Sequence, residues 1–136
     1  MERIVRYFLS CLVFLLISCA SLKGKVPCEL EGELKVISGR NAVAFKLENL
    51  SGKTIEKVTF VLGVYDMDGE PVFDSDWINF EMKLCILPGE CVEDYYVLDD
   101  SEAFFDSNCQ LDYFYVSKAL FEDGTCFEDP FGRFVK

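Results

Sequence analysis

The sequence predicts an all-β chain, an antiparallel sandwich of about seven to eight short strands. Three observations carry that expectation. Apolar residues recur at alternate positions in one stretch after another, the spacing that turns one side of a strand to a core. Turn-forming groups built on Gly, Pro and Asp punctuate those stretches at intervals of about ten residues. The chain is also rich in Phe (13) and Tyr (6) but has only 4 Pro, a balance that suits pleated, half-buried surfaces.

The first element stands apart from the sandwich. Arg3 and Arg6 precede an almost unbroken apolar run from Tyr7 to Ile17, and the small residues Ser18, Ala20 and Ser21 follow. That is the layout of a secretory signal peptide, which is helical when inserted. A membrane span wants about 20 mostly apolar residues. The run from Tyr7 to Leu22 is shorter and is interrupted by Ser10, Ser18 and Ser21.

Leu16-Ile17-Ser18-Cys19 resembles the lipobox of bacterial lipoproteins, with an aliphatic residue at the first position and a small one directly before the cysteine. The resemblance implies a signal peptide over 1–18 and cleavage between Ser18 and Cys19. It also implies a diacylglyceryl group on the Cys19 sulfur, with palmitate-type acyl chains. The chemistry needs a thiol because the lipid is carried as a thioether. Cys11 has too short an apolar run before it to serve. Residues 19–32, with Lys23, Gly24, Lys25 and Pro27, read as a lipidated tether, and 33–136 as the sandwich domain. Two or more acyl chains hold a protein stably on a bilayer. Ala20 after the cysteine, in place of Asp, favours the outer over the inner membrane under the common Gram-negative sorting rule.

The strands follow in order. "ELKVI" (33–37) is the first, closed by Ser38-Gly39. "AVAFKLEN" (42–49) puts Val43, Phe45 and Leu47 on one face, and "LSGKT" (50–54) is a turn. "EKVTFVLGVYDMDG" (56–69) aligns Val58, Phe60, Leu62 and Val64 and ends in a hairpin-type Asp68-Gly69 turn, after which "PVFDS" (71–75) returns. "WINFEMKLCI" (77–86) aligns Ile78, Phe80, Met82, Leu84 and Ile86. "LPGE" (87–90) turns the chain into "CVEDYYVL" (91–98). Residues 99–108 read as a loop or a single helical turn. "LDYFYVSKALFE" (111–122) is a long strand, Asp123-Gly124 a second hairpin signal, and "TCFED" and "FGRFV" close the chain.

Two of these stretches carry a second resemblance. "NLSGKTIEKVTFVLGVYDMDGEPV" (49–72) and "ILPGECVEDYYV" (86–97) are similar to the FxLYD-type domain of bacterial envelope proteins. That family has an Asn-x-Ser/Thr-x-Lys turn, a strand ending in the naming motif, then Asp-Gly, and later a Pro-Gly-Glu turn. Leu62-Gly63-Val64-Tyr65-Asp66 stands at the naming motif, with Leu62 in place of Phe and Val64 in place of Leu. The resemblance implies an immunoglobulin-like β-sandwich on a secreted or anchored protein. It brings no catalytic residues with it.

Composition narrows the function. The formal net charge is −11, and a surface that acidic repels phosphate backbones, so nucleic acid is not an expected partner. There is no histidine, which removes the commonest general base and excludes any triad or dyad that needs one. Asp66, Asp68 and Glu70 in "YDMDGE" could offer oxygens to Ca²⁺. The full EF-hand spacing fails because position 75 is Ser, and a solvated turn explains the same residues. Acidic loops gathered at one end of a sandwich could pool such ligands.

Of the seven cysteines, Cys28, Cys85, Cys91, Cys109 and Cys126 lie beyond the lipobox. Export favours disulfides. Cys85 and Cys91 flank the 87–90 turn, so a bond across a hairpin is the expected pairing if they face each other. No Cys-x-x-Cys pair supports zinc. Phe127, Phe131 and Phe134 offer either a closing strand or an apolar edge patch.

The expectation is therefore a lipid-anchored bacterial cell-envelope protein. It is not an enzyme, needs no cofactor beyond the covalent lipid on Cys19, and works as a binding module. Its partners are the membrane, through the lipid, and a protein or an envelope polymer. The alternatives are a small solute- or ion-binding lipoprotein, or a module associated with or inhibiting an enzyme.

Overall fold

The computed structural model describes residues 26–98 and 108–134. These residues form seven strands and no helix: β1 (Cys28–Ile37), β2 (Arg40–Asn49), β3 (Ile55–Tyr65), β4 (Ile78–Ile86), β5 (Cys91–Val97), β6 (Gln110–Phe121) and β7 (Cys126–Glu128). They make two antiparallel sheets, one ordered β1-β2-β5 and the other β4-β3-β6-β7. The architecture is an all-β sandwich.

The alternation read from the sequence sets which side of each strand is buried. Val43, Phe45 and Leu47 of β2 face Val58, Phe60, Leu62 and Val64 of β3, and all are buried in one core cluster. Phe60 lies at its centre, fully buried. Its ring sits 4.9 Å from those of both Phe45 and Phe80 and 5.6 Å from that of Phe114. Phe80 in turn stacks on Tyr96 of β5 at 4.0 Å, so the aromatic column ties one sheet to the other. Gly32 of β1 has no side chain because a Cβ there would run into the ring of Phe114, and its absence lets β1 close over β6.

Several elements differ from the expectation. The first strand opens at Cys28 and not at Glu33, so Cys28–Gly32, read as part of the tether, pair with Phe45–Asn49 of β2. The acidic residues and Gly32 resemble linker composition, but Cys28, Leu30, Gly32 and Leu34 alternate inward against β2 and the core. The return strand expected at 71–75 reduces to a single bridge between Tyr65 and Pro71. "FGRFV" forms turns over its described residues, not a strand. Cys126 opposes Leu120 across the turn that follows β6. Almost all of the segment read as a loop at 99–108 lies outside the described residues.

The 87–90 turn is the most consequential difference. It carries the chain from β4 in one sheet to β5 in the other, so it is an arch between sheets and not a hairpin. Asn49 holds it. The Asn49 N–H donates to the Glu90 carbonyl at 2.9 Å, and the Gly89 N–H donates to the Asn49 carbonyl at 2.8 Å. The fully buried Asn49 side chain donates through Nδ2 to the carbonyls of Ile86 (2.9 Å) and Lys53 (2.8 Å). Its Oδ1 accepts from Ser51 N and Ser51 Oγ. Glu90 closes the arch from within, its carboxylate accepting from Leu87 N at 2.8 Å. The Asn-x-Ser-x-Lys and Pro-Gly-Glu stretches are thus one hydrogen-bonded clip at one end of the sandwich.

The 121–125 turn joins the same end, where Glu122 N donates to Thr54 O at 3.0 Å. Lys53 Nζ lies 2.8 Å from Asp123 Oδ2, and Asp123 also accepts from Thr125. The hydrogen bond from Lys53, followed by those from Thr125, holds the Asp123 carboxyl well below the usual carboxylate range. A depressed folded-state value means that this contribution is fully present above the ordinary carboxylate range. It is lost as pH falls through the folded value. In the native protein the Asp123 carboxyl carbon is expected to titrate well below a free aspartate by NMR. In Lys53→Met the midpoint is expected to move back up. A midpoint unaffected by the substitution would show that Lys53 is not the cause.

Candidate functional site

One side of the sandwich is left open by the way its edges are built. β1 is an edge strand: it pairs with β2 along its whole length, and no other described strand pairs with it. In the facing sheet, β7 is only three residues long and pairs with Lys118–Leu120 of β6, so the earlier part of β6 has no described strand on that side. Between β1 and the β6–β7 edge runs a groove of about 320 Å³. Val26, Leu30, Phe114, Val116, Phe127 and Phe134 give it an apolar lining.

Polar residues also line the groove, and two of them, Cys28 and Asp129, are held quiet. Cys28 is buried, and burial pushes its thiol up to about 11, so it stays protonated and unreactive at neutral pH. Asp129, 4% exposed, uses Oδ1 and Oδ2 to accept from Arg133 N (2.9 Å) and Phe134 N (3.1 Å). The carboxylate thereby folds the last described residues back, bringing Phe134 to 6.0 Å from the ring of Phe127. Phe131 remains 74% exposed.

The outer faces of the two sheets differ in chemistry. The β1-β2-β5 face is acidic, carrying Glu29, Glu31 and Glu33 from β1, Glu48 from β2 and Glu93 from β5. Glu29 lies directly opposite Glu48, a like-charge pairing that weakens a sheet. Lys46 lies between Glu31 and Glu93 across the strands, and Lys35 pairs with Glu33. The other outer face is aromatic, with Tyr113 lying over Gly63, where a Cβ would come within 2.6 Å of its ring. The hydroxyls of Tyr113 and Tyr65 both donate to the Asp76 carbonyl, at 2.7 and 3.0 Å. Burial, with Tyr65 as hydrogen-bond neighbour, pushes the Tyr113 phenol up to about 12.

The residues singled out in the sequence are not drawn together. Ser18 and Cys19 lie outside the described residues. Asp66 turns its carboxylate inward on its own loop, where Oδ1 accepts from Asp68 N (2.9 Å) and Glu70 N (3.0 Å). Among the described residues no group of three or more acidic, Cys or His side chains is placed to hold a metal ion. Two of the acidic loops are also apart: 66–70 follows the end of β3, whereas Asp123 lies at the other end, beside Lys53, and 99–102 lies outside the described residues.

Cys85 and Cys91 sit on strands of different sheets. Both are exposed and free, on outward-facing positions, so the opposition across a hairpin that their spacing suggested does not exist. The groove was not found from sequence. Its lining comes from both ends of the chain, and only the run of phenylalanines at 127–134 hinted at it.

No family model matches the chain, and no curated protein matches it. A hypothetical protein of Peptoclostridium difficile 630, solved by X-ray diffraction, is similar in structure. Its TM-score is 0.59 at 13% sequence identity, over 79% of this chain and 88% of that one. At that identity the likeness is one of fold alone.

Proposed function

We propose that this chain is a lipid-anchored protein of the bacterial cell envelope whose sandwich is a non-catalytic interaction module. The observation that carries the anchor is Leu16-Ile17-Ser18-Cys19 behind a basic start and an apolar run. Cys19 would bear the diacylglyceryl group, 1–18 would be removed, and the short stretch between Cys19 and β1 would stand the domain off the bilayer. Ala20 favours the outer membrane as the destination. The finer fold assignment is an immunoglobulin-like domain of FxLYD type. It is supported by the clip that joins the Asn49–Lys53 and Pro88–Glu90 stretches, because the two motifs then serve one structural purpose.

The interaction role is supported by the open groove and the uncovered strand edge beside it. A chain without histidine, whose groove thiol is held protonated, is poorly equipped for acid–base or nucleophilic work. Metabolic labelling with radioactive palmitate tests the anchor: label is expected on the wild-type protein and not on Cys19→Ser. Equal labelling of both would overturn it. Reciprocal tagged pull-downs from detergent-solubilised cells test the module, with one partner expected in both directions. Recovery of no partner would count against it.

A further inference from the structure

We propose that the free edge of β1 is a docking site for an extended peptide segment of a partner protein, in which apolar and cationic residues alternate. This rests on the reading of the domain as an interaction module and names the class of partner. The backbone along β1 has one hydrogen-bonding edge occupied by β2 and the other open among the described residues, so a whole added strand can pair there.

The two faces of that added strand would meet different chemistry. Side chains pointing inward would enter the apolar groove beside Leu30, Phe127 and Phe134. Those pointing outward would lie next to Glu29, Glu31 and Glu33. Because strand side chains alternate with period two, this edge reads an apolar-cationic alternation and not merely composition. A cation beside Glu29 would also relieve its like-charge opposition to Glu48, to which no ion pair is made among the described residues. The same charges disfavour a second copy of this chain as occupant, since two acidic edges would repel.

The probe is a fluorescein-labelled peptide, Lys-Val-Lys-Val-Lys-Val-Lys, added to the full chain in neutral detergent. The control is the block peptide Lys-Lys-Lys-Lys-Val-Val-Val. Anisotropy is expected to show binding of the alternating peptide and much weaker binding of the block peptide. Hydrogen exchange is expected to slow at the amides of β1. The double variant Glu29→Lys/Glu31→Lys, at exposed positions, is expected to weaken binding about tenfold. Phe134→Asp is expected to weaken it through the groove. Equal binding of both peptides, protection confined to another strand, or no binding at all would overturn the site. Reciprocal pull-downs that still recover the partner with the Glu29→Lys/Glu31→Lys chain would also overturn it while leaving the module reading intact. Failure to recover any partner with the wild-type chain would sink the module reading itself.

Discussion

Replacing Asn49 with Ala is expected to destabilise the domain by about 3 kcal/mol, a large part of the reserve of a small domain. The side chain is fully buried and makes hydrogen bonds to four groups. Removing it leaves the buried Ile86 carbonyl without its amide donor, while the Lys53 carbonyl keeps the Ser51 hydroxyl, and the desolvation of an unpaired buried group costs about 1–3 kcal/mol. Asn49→Asp separates this explanation from simple loss of volume. The carboxylate keeps the acceptor for Ser51 but sets a negative charge against two carbonyls. It is therefore expected to be at least as destabilising as Ala at neutral pH and to recover as pH falls and the carboxyl protonates. Urea unfolding at neutral and acidic pH measures both. An Asn49→Ala midpoint within error of wild type would mean that the clip is dispensable.

Phe60→Ala is expected to cost about 3–5 kcal/mol. Phe60 is fully buried and its ring touches the column on three sides, through Phe45, Phe80 and Phe114, which come from both sheets. Deleting it removes transfer free energy and opens a void that rigid strands on either side cannot close. Phe60→Leu keeps much of the volume and is expected to lose less. The measurement is the urea midpoint in reductant, since Cys85, Cys91 and Cys126 are exposed thiols. A Phe60→Ala loss below about 1 kcal/mol would place the column outside the stabilising core.

The burial of individual strands was legible because period-two alternation has only one physical solution when one side of a sheet is wet. Val43, Phe45 and Leu47, and Val58, Phe60, Leu62 and Val64, point inward as their spacing requires. Pairing between strands was less legible. Pro88 and Gly89 say that the chain turns but not whether it turns within a sheet or between sheets, and that choice separates Cys85 from Cys91. The start of β1 was hidden for a different reason. Glu29, Glu31 and Glu33 on an outer face look like a solvated linker until Leu30 and Leu34 are seen to pack beneath them.

By itself the sequence determined the all-β class, the inward faces of β2, β3 and β4 and the positions of most turns, because these depend on local spacing and on turn chemistry. Only the tertiary structure decided which strands share a sheet, how Asn49 joins two distant turns, and where β7 stops short of covering β6. Those outcomes rest on contacts between residues far apart in the chain. The open groove is the clearest case: Val26, Leu30, Phe114, Phe127 and Phe134 acquire a common surface only when the two sheets close on each other.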